Sequence, residues 1–196
     1  VQVTGRQGHA GTTPMPLRRD PMLACARLTD GASAIARNHA PSGLATVGLV
    51  EVRPNSRNVI PASVFFTVDL RHPDGAELRQ MHEEFVKLVS EVGADTNTDI
   101  NLEQVMDLPP LQFDPRCVGT VREVAGWLGY SHFDIVSGPG HDAVNIARAV
   151  PTGMIFVPCE EGISHNEAES ATKDDIIAGA NVLLHTVLEY DKALSR

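Results

Sequence analysis

Val64-Phe65-Phe66-Thr67-Val68-Asp69-Leu70-Arg71 decides the fold of the first half of the chain. Val64, Phe66, Val68 and Leu70 alternate with Phe65, Thr67 and Asp69, the two-residue period of a strand with one buried face. Upstream, Ala45 to Val52 reads as the preceding strand. Before it, Asp20-Pro21 sets a capping side chain ahead of a proline at the first helical position. The helix that follows, through Met22, Leu23, Ala26, Ile35 and Ala36, stops before Pro41-Ser42-Gly43. Downstream, Asp74-Gly75-Ala76-Glu77 has capping-box spacing, and Leu78, Met81, Phe85, Leu88 and Val92 mark one face of a second helix that Gly93 can close. Ile100, Leu102, Gln104 and Met106 then suggest a last strand before Pro109-Pro110, and Val1 to Gly5, read as the second half of a strand, supplies the first. The order β-α-β-β-α-β over residues 1–110 describes a split-βαβ (ferredoxin-like) sandwich, with helices on one face of an antiparallel sheet.

After the double proline, residues 111–196 change to a helix-strand alternation. Asp114-Pro115 starts a helix carrying Val118, Val121, Ala125 and Leu128 and ending at Gly129. Phe133 to Val136 and Met154 to Val157 read as short buried strands, Ala143 to Val150 as a helix between them, and Thr172-Lys173-Asp174-Asp175 as the cap of a final helix. Two strands make a poor independent sheet. This half is therefore expected to be the tail of a larger α/β domain. The start on Val1, in mid-strand and without a signal-peptide pattern, is what a fragment would show.

Composition narrows the classes of function. The 196 residues are 42% hydrophobic and 21% charged, and no apolar run approaches the roughly 20 residues of a membrane span. A net charge of −9 without a basic cluster argues against nucleic acid. The cysteines are Cys25, Cys117 and Cys159, an odd number without a CxxC pair. They indicate neither a disulfide framework nor a zinc knuckle, and a reducing cytoplasm is the expected location.

Three polar, glycine-rich stretches are candidates for chemistry. Gly8-His9-Ala10-Gly11-Thr12-Thr13-Pro14-Met15 follows a strand; a lone His there also reads as an ordinary mobile turn, yet His suits donation to a developing oxyanion. Arg53 to Pro61 lies between two strands, and Arg71-His72-Pro73 ends the second of them. Arg and Asn at adjacent strand ends can fork a planar carboxylate, though a surface hairpin with solvated arginines fits equally well. Ser137-Gly138-Pro139-Gly140-His141-Asp142 and Pro158 to Glu167 each follow an apolar run, where open α/β sheets place ligand sites. Gly140 precedes a helix start, where free backbone N–H groups favour an anion, and His165 with its acidic neighbours suits zinc. One His is not a site, because zinc takes about four ligands.

Together HAGTTPM (9–15), RPNSRNVIP (53–61), SGPGHD (137–142) and ISHNE (163–167) resemble the amidase, hydantoinase/carbamoylase family of the dinuclear zinc aminoacylase/carboxypeptidase superfamily. The resemblance spans nearly the whole chain. It implies a lid and dimerisation domain at 1–110 and, at 111–196, the C-terminal part of a phosphorylase/hydrolase-like zinc-exopeptidase α/β domain. It also implies metal-dependent hydrolysis of N-carbamoyl-L-amino acids or related carboxylated ureas, allantoate among them, with two ions of zinc, manganese or cobalt per site. The implied oligomer is a homodimer formed through the lid. On the same resemblance His9 would stabilise the oxyanion in the partner subunit's site, and Asn58 and Arg71 would hold the substrate carboxylate. Gly140 would add a backbone donor, and His165 would be the last metal ligand. The family's other metal ligands and its proton-shuttling Glu have no counterpart here, so a non-catalytic dimerisation and ligand-docking module is the alternative of another class. A standalone ferredoxin-like regulatory domain accounts for the first half only.

Overall fold

The computed structural model describes residues 1–195. They divide into two compact units, residues 1–110 and the described residues from Leu111 onward. In order, the first unit contains β1 (Gln2–Thr4), β2 (Gly8–His9), α1 (Pro21–Asn38), β3 (Leu44–Thr46), β4 (Val50–Arg53), β5 (Val59–Ile60), β6 (Ser63–Phe66), β7 (Asp69–Arg71), α2 (Gly75–Thr96) and β8 (Asp99–Asn101).

The four-stranded antiparallel sheet runs β4-β6-β1-β8. Val3 of β1 faces Val64 on one side and Ile100 on the other and is fully buried. The long hairpin of β3-β4 with β6-β7 keeps its register except at one point. Leu44 to Thr46 pair with Arg71 to Asp69, and Val50 to Arg53 with Phe66 to Ser63, so residues 47–49 face only residues 67–68. The extra residue is a bulge, bridged where Thr67 N–H donates to Leu49 O at 3.2 Å. The alternation holds through it: Val64 and Phe66 are buried, Val68 and Leu70 half-buried, and Phe65, Thr67 and Asp69 exposed.

Both helices cover the sheet face that carries Val3, Val64 and Phe66. Helix α1 contributes Ala24, Cys25, Leu28, Ala32, Ile35 and Ala36, and α2 contributes Met81, Phe85, Val89 and Val92, three- and four-residue steps along one side of each. The Leu88 side chain of α2 packs directly on Gly31 of α1, where a Cβ would lie 2.3 Å from Leu88 Cδ2. Asp20 Oδ1 caps α1 by accepting from the Met22 N–H at 2.9 Å. Asp74 Oδ1 caps α2 through the Ala76 and Glu77 N–H groups, which hold the Asp74 carboxyl below the usual carboxylate range. The capping box expected there is only half formed, because the Asp74 N–H donates to His72 Nδ1 and Glu77 reaches elsewhere. Nor does Gly93 close α2, which continues to Thr96 and ends on Asn97 in the left-handed region.

Glu77 instead clamps α1 to α2. The buried His39 ring lies with Nδ1 2.6 Å from Glu77 Oε2 and Nε2 3.3 Å from Glu84 Oε1. A carboxylate oxygen at each nitrogen favours the doubly protonated ring, in which both nitrogens donate, and the Glu77 bond foremost raises its pKa above the ordinary 6.5.

In the second unit α3 (Pro115–Trp127), α4 (Asp142–Ala147) and α5 (Lys173–Leu194) are the regular elements. The caps expected at Asp114 and Thr172 both form. Helices α3 and α5 pack around Val124, Ala125 and Val182, with Tyr130 Oη accepting from Asn181 Nδ2 at 3.1 Å. The strands expected at Phe133–Val136 and Met154–Val157 do not form, and Ala143–Val150 shortens to Asp142–Ala147. Apolar pattern alone makes no strand; a ladder needs a neighbouring backbone. Ile155 still packs on the α3-α5 core, and Arg122 forks Asp134 at 3.1 and 2.6 Å, so the runs are held by side chains. Phe133, Ile135, Val136 and Phe156 remain at least half exposed, as do Ile176, Leu183, Leu184 and Val187 of α5. No described helix is long and apolar enough to cross a membrane.

Two outcomes are expected. Leu28→Ala, a truncation at a fully buried position, should cost about 2–5 kcal/mol in denaturant unfolding. Because folding raises the pKa of His39, its clamp stabilises fully below about pH 6.5 and fades as pH climbs through the raised value. Urea unfolding followed through the Met81 methyl resonance should show the first unit more stable at about pH 6 than about pH 9, and His39→Gln should flatten the difference.

Candidate functional site

His9 lies on a short extension of the main sheet. Past Thr4, paired with Ser63, the ladder continues with Gly5 N–H donating to Ala62 O at 2.9 Å. It resumes with Gly8 opposite Ile60 and His9 opposite Val59. The Ala10 N–H then donates to Asn58 O at 2.9 Å, so His9 and Asn58, which the sequence did not pair, are brought to one exposed tip. Beyond it the chain turns sharply: Thr12 and Thr13 N–H and Thr13 Oγ1 all donate to His9 O. A Cβ at Gly8 would lie 2.9 Å from Thr13 Oγ1, so a side chain there would displace the hydroxyl that bonds His9 O.

The tautomer of the neutral His9 ring follows from its partner. Gly11 N–H donates to His9 Nδ1 at 3.0 Å, so the neutral ring carries its hydrogen on Nε2 and presents that nitrogen as a donor. Ser56 Oγ donates to Asn58 Oδ1 at 3.2 Å, which leaves the Asn58 amide nitrogen as the donor end of that side chain. Beside the tip is a cleft of about 320 Å³ whose lining includes Ala10, Arg18, Asn55, Ser56 and Val59. Arg18, which sequence reasoning passed over, donates to the carbonyls of both Ala10 and Thr13. A cation five residues beyond Thr13, after two prolines, was the available signal.

Arg71 is elsewhere. It ends β7 opposite Leu44, whereas the His9 tip extends beyond Ser63 at the other end of the hairpin. The strand from Ser63 to Arg71 alone, at roughly 3.3 Å per residue, spans on the order of 25 Å, and the tip lies beyond its far end. The expectation that Asn58 and Arg71 form one fork at adjacent strand ends is therefore corrected: within one chain the structure does not bring them together. The Arg71 guanidinium holds the Asp69 carboxylate in bidentate fashion, Nε to Oδ1 at 2.9 Å and Nη2 to Oδ2 at 2.6 Å. That pair raises the pKa of Arg71 further and shows that its fork can grip a planar carboxylate from this strand end.

The second unit carries Gly140 and His165, both exposed. Gly140 has no atom within 4 Å of a Cβ position, and the residue after it caps the six-residue α4 as Ala143 N–H donates to His141 Nδ1 at 3.2 Å. His165 adopts a left-handed backbone with φ 56°. Its N–H donates to Glu169 Oε2 at 2.8 Å, and the loop is closed by Glu160 N–H to Ser170 O at 2.8 Å. A non-glycine residue with positive φ is held there only where its surroundings demand it. Among the described residues no three His, Cys, Asp or Glu side chains come together to hold a metal, so these residues do not by themselves fit a zinc site.

A family model, Peptidase family M20/M25/M40, matches residues 9–189. An N-carbamoyl-L-amino-acid amidohydrolase of Rhizobium meliloti is 43% identical over 187 residues, covering 95% of this chain and 45% of that protein. An allantoate amidohydrolase of Escherichia coli K12 is 36% identical over 183 residues, covering 93% and 44%. The crystal structure of an amidase of the hydantoinase/carbamoylase family from Burkholderia vietnamiensis superposes with a TM-score of 0.92 at 54% identity, over 96% of this chain and 46% of that one. The chain spans about half the length of the curated relatives it matches.

If one imidazole is all this chain offers a metal, zinc titrated into the 196-residue chain should not stay bound stoichiometrically through gel filtration. His165→Ala should leave the zinc content unchanged; retention that His165→Ala abolishes would contradict the ligand count.

Proposed function

The chain belongs to peptidase family M20/M25/M40, and from that premise we propose that it forms part of a metal-dependent amidohydrolase acting on N-carbamoyl-L-amino acids or related carboxylated ureas. Similarity to two kinds of ureido-directed amidohydrolase supports the substrate class. The observation that carries the reading is the His9 tip, an exposed imidazole with a defined Nε2 donor tied beside Asn58.

In this reading residues 1–110 are a lid of split-βαβ topology through which two subunits dimerise, consistent with the β4-β6-β1-β8 order. Residues 111–196 are the C-terminal part of the phosphorylase/hydrolase-like catalytic α/β domain. Their exposed apolar face on α5 and the runs 133–136 and 154–157 are then surfaces that the remainder of that domain covers. Zinc, or manganese or cobalt in its place, is the cofactor, with two ions per site. His165 contributes one imidazole, and the other ligands come from residues outside this chain.

The roles of this chain's own groups follow from their chemistry. His9 Nε2–H donates to the substrate carbonyl oxygen as it gains negative charge, an interaction stronger in the transition state than in the bound substrate. The Arg71 fork takes the carboxylate plane, the Asn58 amide adds a donor to it, and the Gly140 N–H adds one to the oxyanion. Since the hairpin holds Arg71 far from His9 and Asn58, a substrate in one site meets Arg71 of one subunit together with the partner subunit's His9 and Asn58. Allantoate presents the same ureido carbonyl and carboxylate, and the Escherichia coli relative keeps it as the second reading.

The test is an assay of the complete protein, with zinc, manganese or cobalt, on N-carbamoyl-L-amino acids, N-carbamoyl-β-alanine and allantoate. Turnover of the first is expected, and no turnover of any ureido substrate defeats the proposal. His9→Ala should lower kcat by about 10²–10³ with little change in KM. Arg71→Lys, which replaces a fork with a point charge, should raise KM by about tenfold or more.

A further inference from the structure

The turn that carries His9 is closed by a side chain without a part in the chemistry above. Arg18 Nε donates to Thr13 O at 3.0 Å and Arg18 Nη2 to Ala10 O at 2.7 Å. One guanidinium edge thus grips a carbonyl on either side of Gly11-Thr12. The spacing of the two donors is fixed by the planar group, so the carbonyls cannot drift apart without breaking one bond. The chain is brought back to make this grip by a tight helical turn over Met15–Leu17, closed by Leu17 N–H to Pro14 O at 3.0 Å and Arg18 N–H to Met15 O at 3.2 Å. Pro14 and Pro16 stiffen that return.

Inside the grip lie the two bonds that orient His9. Gly11 N–H reaches His9 Nδ1 at 3.0 Å, and Thr13 Oγ1 donates to His9 O at 2.9 Å. Gly11 sits between the gripped carbonyls of Ala10 and Thr13, so its N–H points at the ring only while the turn keeps this shape. From these contacts we infer that Arg18 is a positioning residue for His9. By holding the turn closed it keeps the imidazole in one orientation, with Nδ1 accepting and Nε2–H presented. The consequence for catalysis rests on the oxyanion role proposed for His9; the structural part does not. Lys at position 18 would keep the charge but lose the paired donors, so the grip depends on Arg specifically.

Two measurements test this. Imidazole nitrogen NMR on the 196-residue chain, at a pH where His9 is neutral, should show a single Nε2–H form and a protected Gly11 amide. Arg18→Gln should average the two His9 nitrogen signals and speed Gly11 exchange, with Arg18→Lys showing the same change to a smaller degree. Unchanged His9 signals and Gly11 exchange in folded Arg18→Gln would overturn the inference. Should Arg18→Gln fail to fold, Arg18→Lys decides it by the same two readings. In the complete protein Arg18→Gln should lower kcat by between about tenfold and 10²-fold, with KM within about twofold. Added to His9→Ala it should cost nothing more, because the group it positions is gone. Losses that multiply instead would show Arg18 acting independently of His9 and overturn the inference. If His9→Ala alone leaves kcat intact, the oxyanion role fails while the NMR comparison still decides what Arg18 does.

Discussion

The continuation of one antiparallel ladder past its own sheet is the constraint on which the His9 site depends. Strands β1 and β6 pair over three residues, Gly5 carries the ladder one bond further to Ala62, and β2 and β5 take it up again at Gly8 and Ile60. Because Val3 and Val64 are locked in the core beneath both helices, the far end of the ladder inherits a rigid base although its residues are exposed. A loop without that base would let His9 and Asn58 wander independently. Here a backbone bond from Ala10 N–H to the carbonyl of Asn58 sets their separation, and the Arg18 grip sets the ring.

The same hairpin divides the groups expected to bind substrate. Its core register fixes Arg71 at one end and the His9 tip beyond the other, and neither end can shift by one residue without turning Val64 and Phe66 out to solvent. Distance then becomes a functional statement. Under the proposed function, groups on one small ligand would come from two copies of the unit, which would make the dimer a requirement of catalysis rather than an accessory to stability.

Much of the first unit was legible because its signals are local. The alternation at Val64 to Leu70, the caps at Asp20 and Asp74 and the apolar steps along α1 and α2 each depend on neighbours a few residues away. What was missed depends on partners distant in sequence. Glu77 fits a capping box by spacing but is drawn to His39, 38 residues upstream. The bulge at 47–49 and the length of the hairpin separate Asn58 from Arg71, and neither is visible in the residues themselves. In the second unit Phe133–Val136 and Met154–Val157 have the composition of strands, but no described strand lies beside them to complete a ladder, so pattern and structure part there. The motifs nominated the residues of the candidate site; their grouping could not be read from them, because grouping is a property of register.

The central claim is that each site draws His9 from one subunit and Arg71 from the other. Subunit mixing of the complete protein tests it most directly: homodimers of His9→Ala and of Arg71→Ala, each inactive alone, are dissociated together and reassociated. Shared sites predict recovery of about a quarter of the wild-type activity, since half the dimers formed at random are mixed and each has one intact site. No recovery on proven mixing would place both residues in the site of a single subunit and contradict the account.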